Sequence, residues 1–178
     1  MGLPTWLNLA NSARDSGDKE RAVAVLREAG EDGHLDAYVR LAMLIWPGEE
    51  DQADRLIQYV ESQVTEDDPD THFSLYQAYS LGIAGMLSEP STSAQDSYLK
   101  RTECAFRHLR VAASLYADPW LQHSVGLHFW QGYNGIEKNY EEAEYWLSDA
   151  SRSGHSDIVK SYKRFLRERA KESRRRDT

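Results

Sequence analysis

Two stretches of this chain repeat one another at a distance, and that repetition limits the fold more than anything else in the sequence. They are DKERAVAVLREAGEDGHLDAYVRL, residues 18–41, and NYEEAEYWLSDASRSGHSDIVKSY, residues 139–162. Small or apolar residues fall at Ala22, Val25, Ala29, Gly30, Gly33, Ala37 and Leu41 in the first. The same offsets in the second give Ala143, Trp146, Ala150, Ser151, Gly154, Ile158 and Tyr162. His34 and His155 follow the turn glycine in both copies. A histidine that repeats with its surroundings is read as part of the scaffold rather than as a catalytic group or ligand.

Each stretch reads as a helix, a turn and a second helix. Asn139 with Glu142 predicts a capping box, in which side chains satisfy free amides at the helix start. Ala143, Trp146 and Ala150 share one face at helical spacing. Gly154 ends the helix, because glycine enters the left-handed region cheaply. The small pairs Ala29-Gly30 and Ala150-Ser151 are expected to let neighbouring helix backbones approach. A unit of this kind cannot bury its apolar face alone; stacked copies can, which predicts an all-α, right-handed superhelix of about nine helices.

Residues 125–154, VGLHFWQGYNGIEKNYEEAEYWLSDASRSG, resemble a Sel1-like repeat. Val125-Gly126, Phe129, Gly132, Gly135, Ala143, Trp146, Ala150 and Gly154 fill its pattern. The departures are an extra residue in the turn and Ser151 in place of a second alanine. Residues 6–34 are similar to a tetratricopeptide repeat through Trp6, Leu9, Ala10, Ala13, Ala22, Leu26 and Ala29, with His34 where proline is usual. The resemblance implies helical hairpins that bind proteins as adaptors, scaffolds or cochaperones.

The first-helix leucine position falls at Leu9, Leu41, Val125 and Tyr162. The interval from Leu41 to Val125 exceeds two repeats of about 36 residues by some 12. The surplus is assigned to a loop over 85–97, polar and containing Pro90. Around it, helices are predicted at 49–63, 69–83 and 98–116, with Asp118-Pro119 opening the next as N-cap and N1. The faces of residues 71–85 are left unassigned. Residues 1–172 read as one repeat domain and 173–178 as a basic tail.

Charge narrows the partner. The net charge is −8 over 178 residues. Residues 160–178 hold nine Lys/Arg and three Asp/Glu, leaving 12 basic and 26 acidic residues for the rest. An acidic body repels phosphate backbones, so nucleic acid is not the expected partner. The basic end is either a solvated final helix or an anchor for an acidic partner. No run reaches the ~18 apolar residues of a membrane span, and the N-terminal sequence has neither a secretory nor a myristoylation pattern. With one cysteine, Cys104, no internal disulfide is possible, so a cytoplasmic location is expected.

Catalytic and metal-binding patterns are absent from the sequence. There is no CxxC, HExxH, GxSxG or phosphate-binding glycine loop. His123 and His128 lie about 140° apart around a helix axis, wrong for a shared metal. GYNG reads as a turn, Cys104 as a buried or idle thiol, and the acidic runs GEEDQAD and TEDDPD as helix starts. Neither catalysis nor a cofactor or metal is expected.

The functional surface is then the groove lined by first helices, on the side away from the packing positions. Counting from Val125 puts Trp120, His123, Leu127 and Trp130 there. Counting from Leu41 adds Asp36, Val39, Met43 and Trp46; from Tyr162, Asp157, Lys160, Arg164 and Arg167; and from Leu9, Pro4, Leu7, Asn11 and Arg14. Trp46 and Trp130 take equivalent places. Exposed, they mark an interface, where aromatics concentrate; covered by a neighbouring hairpin, they do not. The expected partner is a protein. The most specific form is a bacterial immunity protein occluding a cognate toxin, and the alternative is an adaptor, scaffold or secretion chaperone holding a peptide. An enzyme or an RNA-binding helical repeat are the remaining classes.

Overall fold

The computed structural model describes residues 4–46, 48–82, 94–133 and 135–176. Among them lie nine α-helices and no strand: α1 Thr5–Asp15, α2 Lys19–Glu31, α3 Leu35–Ile45, α4 Glu50–Gln63, α5 Pro69–Ser80, α6 Ala94–Tyr116, α7 Pro119–Gln131, α8 Tyr140–Ser151 and α9 Ser156–Arg176. The fold class is all-α. No described helix is long and apolar enough to cross a membrane. The chain divides into two compact units, Met1–His108 and Leu109–Thr178, with the division inside α6.

Short polar residues start the helices. Asp18 accepts from the Arg21 amide and Asp68 from the Thr71 amide, both at 3.0 Å. Asp118 accepts from the amides of Trp120 and Leu121 at 2.9 and 3.0 Å, with Pro119 at N1 as expected. These side chains take up N–H groups that the first helical turn leaves unpaired. Asn139 Oδ1 accepts from Glu141 and Glu142, each at 3.0 Å. The reciprocal half of the expected capping box is not made. Glu142 Oε2 accepts instead from the Trp146 indole at 3.2 Å, and the Asn139 amide donates to the Phe129 carbonyl at 2.8 Å. The buried indole needs an acceptor, and the cap amide has found another. After α2 and α8, Gly33 and Gly154 take φ of 99° and 76°, the left-handed turn that both copies require.

Helices joined in sequence pack as hairpins: α1 on α2 and α3 on α4 in the first unit, α7 on α8 in the second. First helices of successive hairpins also touch, α3 with α5 and α7 with α9. This is the stacking pattern of a repeat, seen within each unit. The first core gathers Leu26, Leu41, Ile45, Ile57, Val60 and Leu75. In the second unit Val125, Phe129, Trp146, Leu147, Ile158 and Phe165 are buried.

The details depart from expectation at identifiable places. Helix α6 begins at Ala94 and not at 98, while 85–93 of the expected loop lie outside the described residues. Helix α5 stops at Ser80, short of 83. Residues 173–176 of the expected tail continue α9. Leu9 is 44 % exposed, because α1 turns Leu7, Ala10 and Ala13 inward instead. In α9 the fully buried residues are Ile158 and Phe165, the latter three residues beyond the half-buried Tyr162. Gly30 makes room for a side chain rather than a backbone: a Cβ there would meet the Tyr38 ring at 2.4 Å.

Candidate functional site

In the first unit the expected groove residues separate. Val39 is 0 % exposed and belongs to the core, which removes it from any accessible wall. Trp46 is half-buried and packs against the same core. Met43 lines a cavity of about 220 Å³ together with Leu7, Ala10, Asn11, Arg14, Ala22, Leu26, Arg40 and Leu44. Asn11, Arg14 and Met43 are positions that the repeat register assigns to the groove side, whereas Leu7, expected there too, is turned inward with Ala10 and Ala13. Helices α1 and α3 form the walls and α2 the floor. At less than the ~300–1,000 Å³ typical of small-molecule sites, the cavity has room for an anchoring side chain.

Its charges are both cationic. Arg14 is well exposed beside Asp15 at 3.7 Å. Arg40 lies 3.6 Å from Asp36 Oδ2, and its buried Nε makes no hydrogen bond. Burial pushes the Asp36 carboxyl above its ordinary value, against the pull of Arg40. Two guanidiniums over an apolar floor, in an acidic protein, favour an apolar group with a carboxylate nearby.

In the second unit Trp130, at 5 % exposure, is sealed and packs edge-on against Phe165 at 5.6 Å. Its expected place on the groove is therefore overturned, because α9 covers the ring. Arg164 lies over that ring at 5.7 Å and pairs with Glu168 at 3.1 Å. Lys160 pairs with Asp157 at 3.2 Å, and Arg167 is exposed. Trp120 remains 48 % exposed, beside His155 at 5.5 Å and His123 at 6.2 Å. His123 and Leu127 are half-buried. His123 Nε2 has no hydrogen bond, and burial lowers its proton affinity. His34 meets Trp6 at 5.6 Å with an interplanar angle of 36°, and His155 meets Trp120 at 37°. The repeated histidines thus serve the same ring contact.

A polar cluster in the first unit has no counterpart in the sequence reading. Glu61 on α4, His72 and Tyr79 on α5, and Arg107 and His108 on α6 converge. His72 and His108 are 6 % and 1 % exposed. Burial pushes the Glu61 carboxyl up, but the bonds and charges of His108, Tyr79 and Arg107 outweigh it and bring the group to about 2. Burial and the bond to Glu61 hold the Tyr79 hydroxyl above its ordinary range. Nearby Cys104 is half-buried, and burial raises its thiol. The α6 residues stand 28 or more positions from their partners on α4 and α5, so no local motif announces them. Among the described residues, no group of three or more His, Cys, Asp or Glu is placed to hold a metal ion.

No protein-family profile matches the chain, and no curated protein does. Among solved structures it is similar to a protein described as a Sel1 repeat protein from Klebsiella pneumoniae subsp. pneumoniae. That match has a TM-score of 0.40 and 20 % identity, covering 90 % of this chain and 91 % of that one. It is also similar to a Sel1 repeat protein from Oxalobacter formigenes, with a TM-score of 0.37 and 16 % identity over 88 % and 76 % of the two chains. Both neighbours are Sel1 repeat proteins; the all-α fold itself rests on the helices and hairpins described above.

Proposed function

We propose that this chain is a protein-interaction module whose first-helix wall holds a segment of a partner protein. The observation that carries this reading is the cavity between α1 and α3, built partly from the positions the repeat assigns to the groove. It accepts an apolar anchor between Met43 and Leu7, with Arg14 and Arg40 beside it for an acidic neighbour. In the second unit, Trp120, Leu127, Lys160, Arg164 and Arg167 form a further candidate contact set. Trp120 is the best anchor among them, since large exposed aromatics dominate interface energetics.

The finer reading is a bacterial immunity protein that occludes a toxin, supported by the net charge of −8, which suits a cationic partner. The alternative, an adaptor or secretion chaperone, draws on the small size of the cavity, which suits one anchor on a short segment. Capture of a partner followed by titration separates them. Tight one-to-one binding that abolishes the partner's toxicity supports the first, and micromolar binding to several segments supports the second. Arg14→Glu and Met43→Ala, with helicity unchanged by circular dichroism, are each expected to weaken the captured complex about tenfold or more. Binding that withstands both changes defeats the groove assignment.

A further inference from the structure

The cluster at the end of the first unit fixes its own proton count. The Thr65 carbonyl only accepts, so His72 Nε2, 3.2 Å away, carries a proton. Glu61 is ionised, so His108 Nε2, 2.8 Å from its Oε1, carries another. Between the rings, His72 Nδ1 and His108 Nδ1 stand 2.7 Å apart, which takes one proton and one lone pair. In this arrangement the two imidazoles together hold three protons and one positive charge, and they share the single negative charge of Glu61 with Arg107. Arg107 Nη2 also lies 3.0 Å from His108 Nε2, but its donors are taken by the Glu61 oxygens at 2.9 and 3.1 Å. The Tyr79 hydroxyl donates to Glu61 at 2.7 Å, and its ring stacks on His108.

We propose that this shared-proton pair is an acid-sensitive latch that holds the first half of α6 against α4 and α5. Locked, it needs a lone pair on one facing Nδ1. A fourth proton removes that lone pair and sets two cations at contact distance, so the rings must part. Helix α6 then loses its tie through residues 107 and 108, where the chain passes from the first unit to the second.

The charged groups facing the pair act in both directions, and Arg107, 3.0 Å from His108 Nε2, places a second cation beside it that opposes a further proton. Glu61 from α4 and Asp68 at the start of α5 favour protonation of His72, while burial first and His108 second oppose it. Opposition wins, so His72 binds its proton less tightly than a free imidazole. The sign follows: between the ordinary imidazole value of ~6.5 and the lower value of His72, the opened state takes up a proton that the locked pair does not. The latch's contribution is lost as pH falls through the lower value of His72. Glu61, at about 2, stays ionised across that window. Cys104 and Tyr79, both shifted upward, stay neutral.

The test uses the full chain. Amide exchange over residues 98–108, corrected for intrinsic rates, is followed from pH 7.5 to 5. One proton taken up on opening increases exchange by up to about tenfold per pH unit below ~6.5. His72→Gln, which keeps an acceptor but cannot titrate, is expected to flatten that dependence; an equal slope in the variant overturns the proposal. Should the variant fail to fold, nitrogen-15 spectra of the wild-type imidazoles at pH 7.5 decide. Three protonated ring nitrogens among the four of His72 and His108 support the latch, and two or four overturn it.

Discussion

The segment from α2 to α3 and the segment from α8 to α9 share a register yet build different walls. Offset by 121 residues, Leu44 of the first corresponds to Phe165 of the second, and Val25 to Trp146. Leu44 is half-buried at the edge of a cavity of about 220 Å³. Phe165 is fully buried and meets the rings of Trp130, Tyr140 and Tyr162 at 5.6, 6.0 and 6.3 Å. The same backbone pattern therefore yields an open recess or a filled aromatic cluster, according to side-chain volume at two or three positions. The template sets where helices lie, and the substituents on it decide where a partner can insert.

The largest expected effect follows from that difference. Phe165→Ala empties a fully buried site and should cost about 3–5 kcal/mol. Leu44→Ala, at a site already open on one side, should cost well under half as much. Urea denaturation of each variant measures both. Equal losses would mean that the two walls are packed alike. Leu44→Phe sharpens the contrast, since it imports the second wall into the first: stability should hold or rise while partner capture falls.

A smaller contrast concerns close approach. A Cβ on Gly126 would sit 2.6 Å from Leu147 Cγ and 3.1 Å from the Leu147 backbone nitrogen. The nearest atoms to a Cβ on Gly30 belong to the Tyr38 ring, a half-buried side chain and not backbone. Gly126→Ala should therefore cost about 1–3 kcal/mol as helices α7 and α8 are pushed apart. Gly30→Ala should cost less, its ring clash partly offset by alanine's better helix propensity. Thermal melts of the pair test this, and a reversed order would place the tight interhelical contact in the wrong hairpin.

How far the sequence could be read follows from the same contrast. Periodicity identified the hairpins, the cap residues and the turn glycines, because each is decided within a few residues of chain. Burial of Trp130 was not legible, because the ring that covers it belongs to Phe165, 35 positions later in the sequence. Counting from Tyr162 placed the packing position three residues early. Val39 was misplaced for a related reason: α3 packs against α2, α4 and α5, so a position turned away from one neighbouring helix meets another. The Glu61, His72 and His108 cluster joins three helices through side chains, and periodicity carries no information about such a meeting. The acidic run TEDDPD, expected as a helix start, does open α5, and its Asp68 both caps that helix and supplies a charge facing the cluster.

The smallest predicted effects test whether the repeated histidines are scaffold. His34 and His155 each lean on a tryptophan of the preceding first helix, at 5.6 and 5.5 Å and nearly equal tilt. Such ring contacts contribute about 0.5–1.5 kcal/mol. As the N-cap of α3, His34 makes no side-chain cap bond, so the ring contact is what alanine removes there. His34→Ala and His155→Ala should then each cost about 0.5–1 kcal/mol, and a double-mutant cycle of His155 with Trp120 should recover most of its loss as coupling. His34→Asp separates the two roles of the position, since it restores a cap worth about 1 kcal/mol while losing the ring. The informative failure lies in the second unit, where Trp120 is half exposed and offered as a contact for a partner. If His155→Ala leaves stability unchanged but abolishes capture, the histidine belongs to the binding surface, and the symmetry of the two copies hides a division of labour between them.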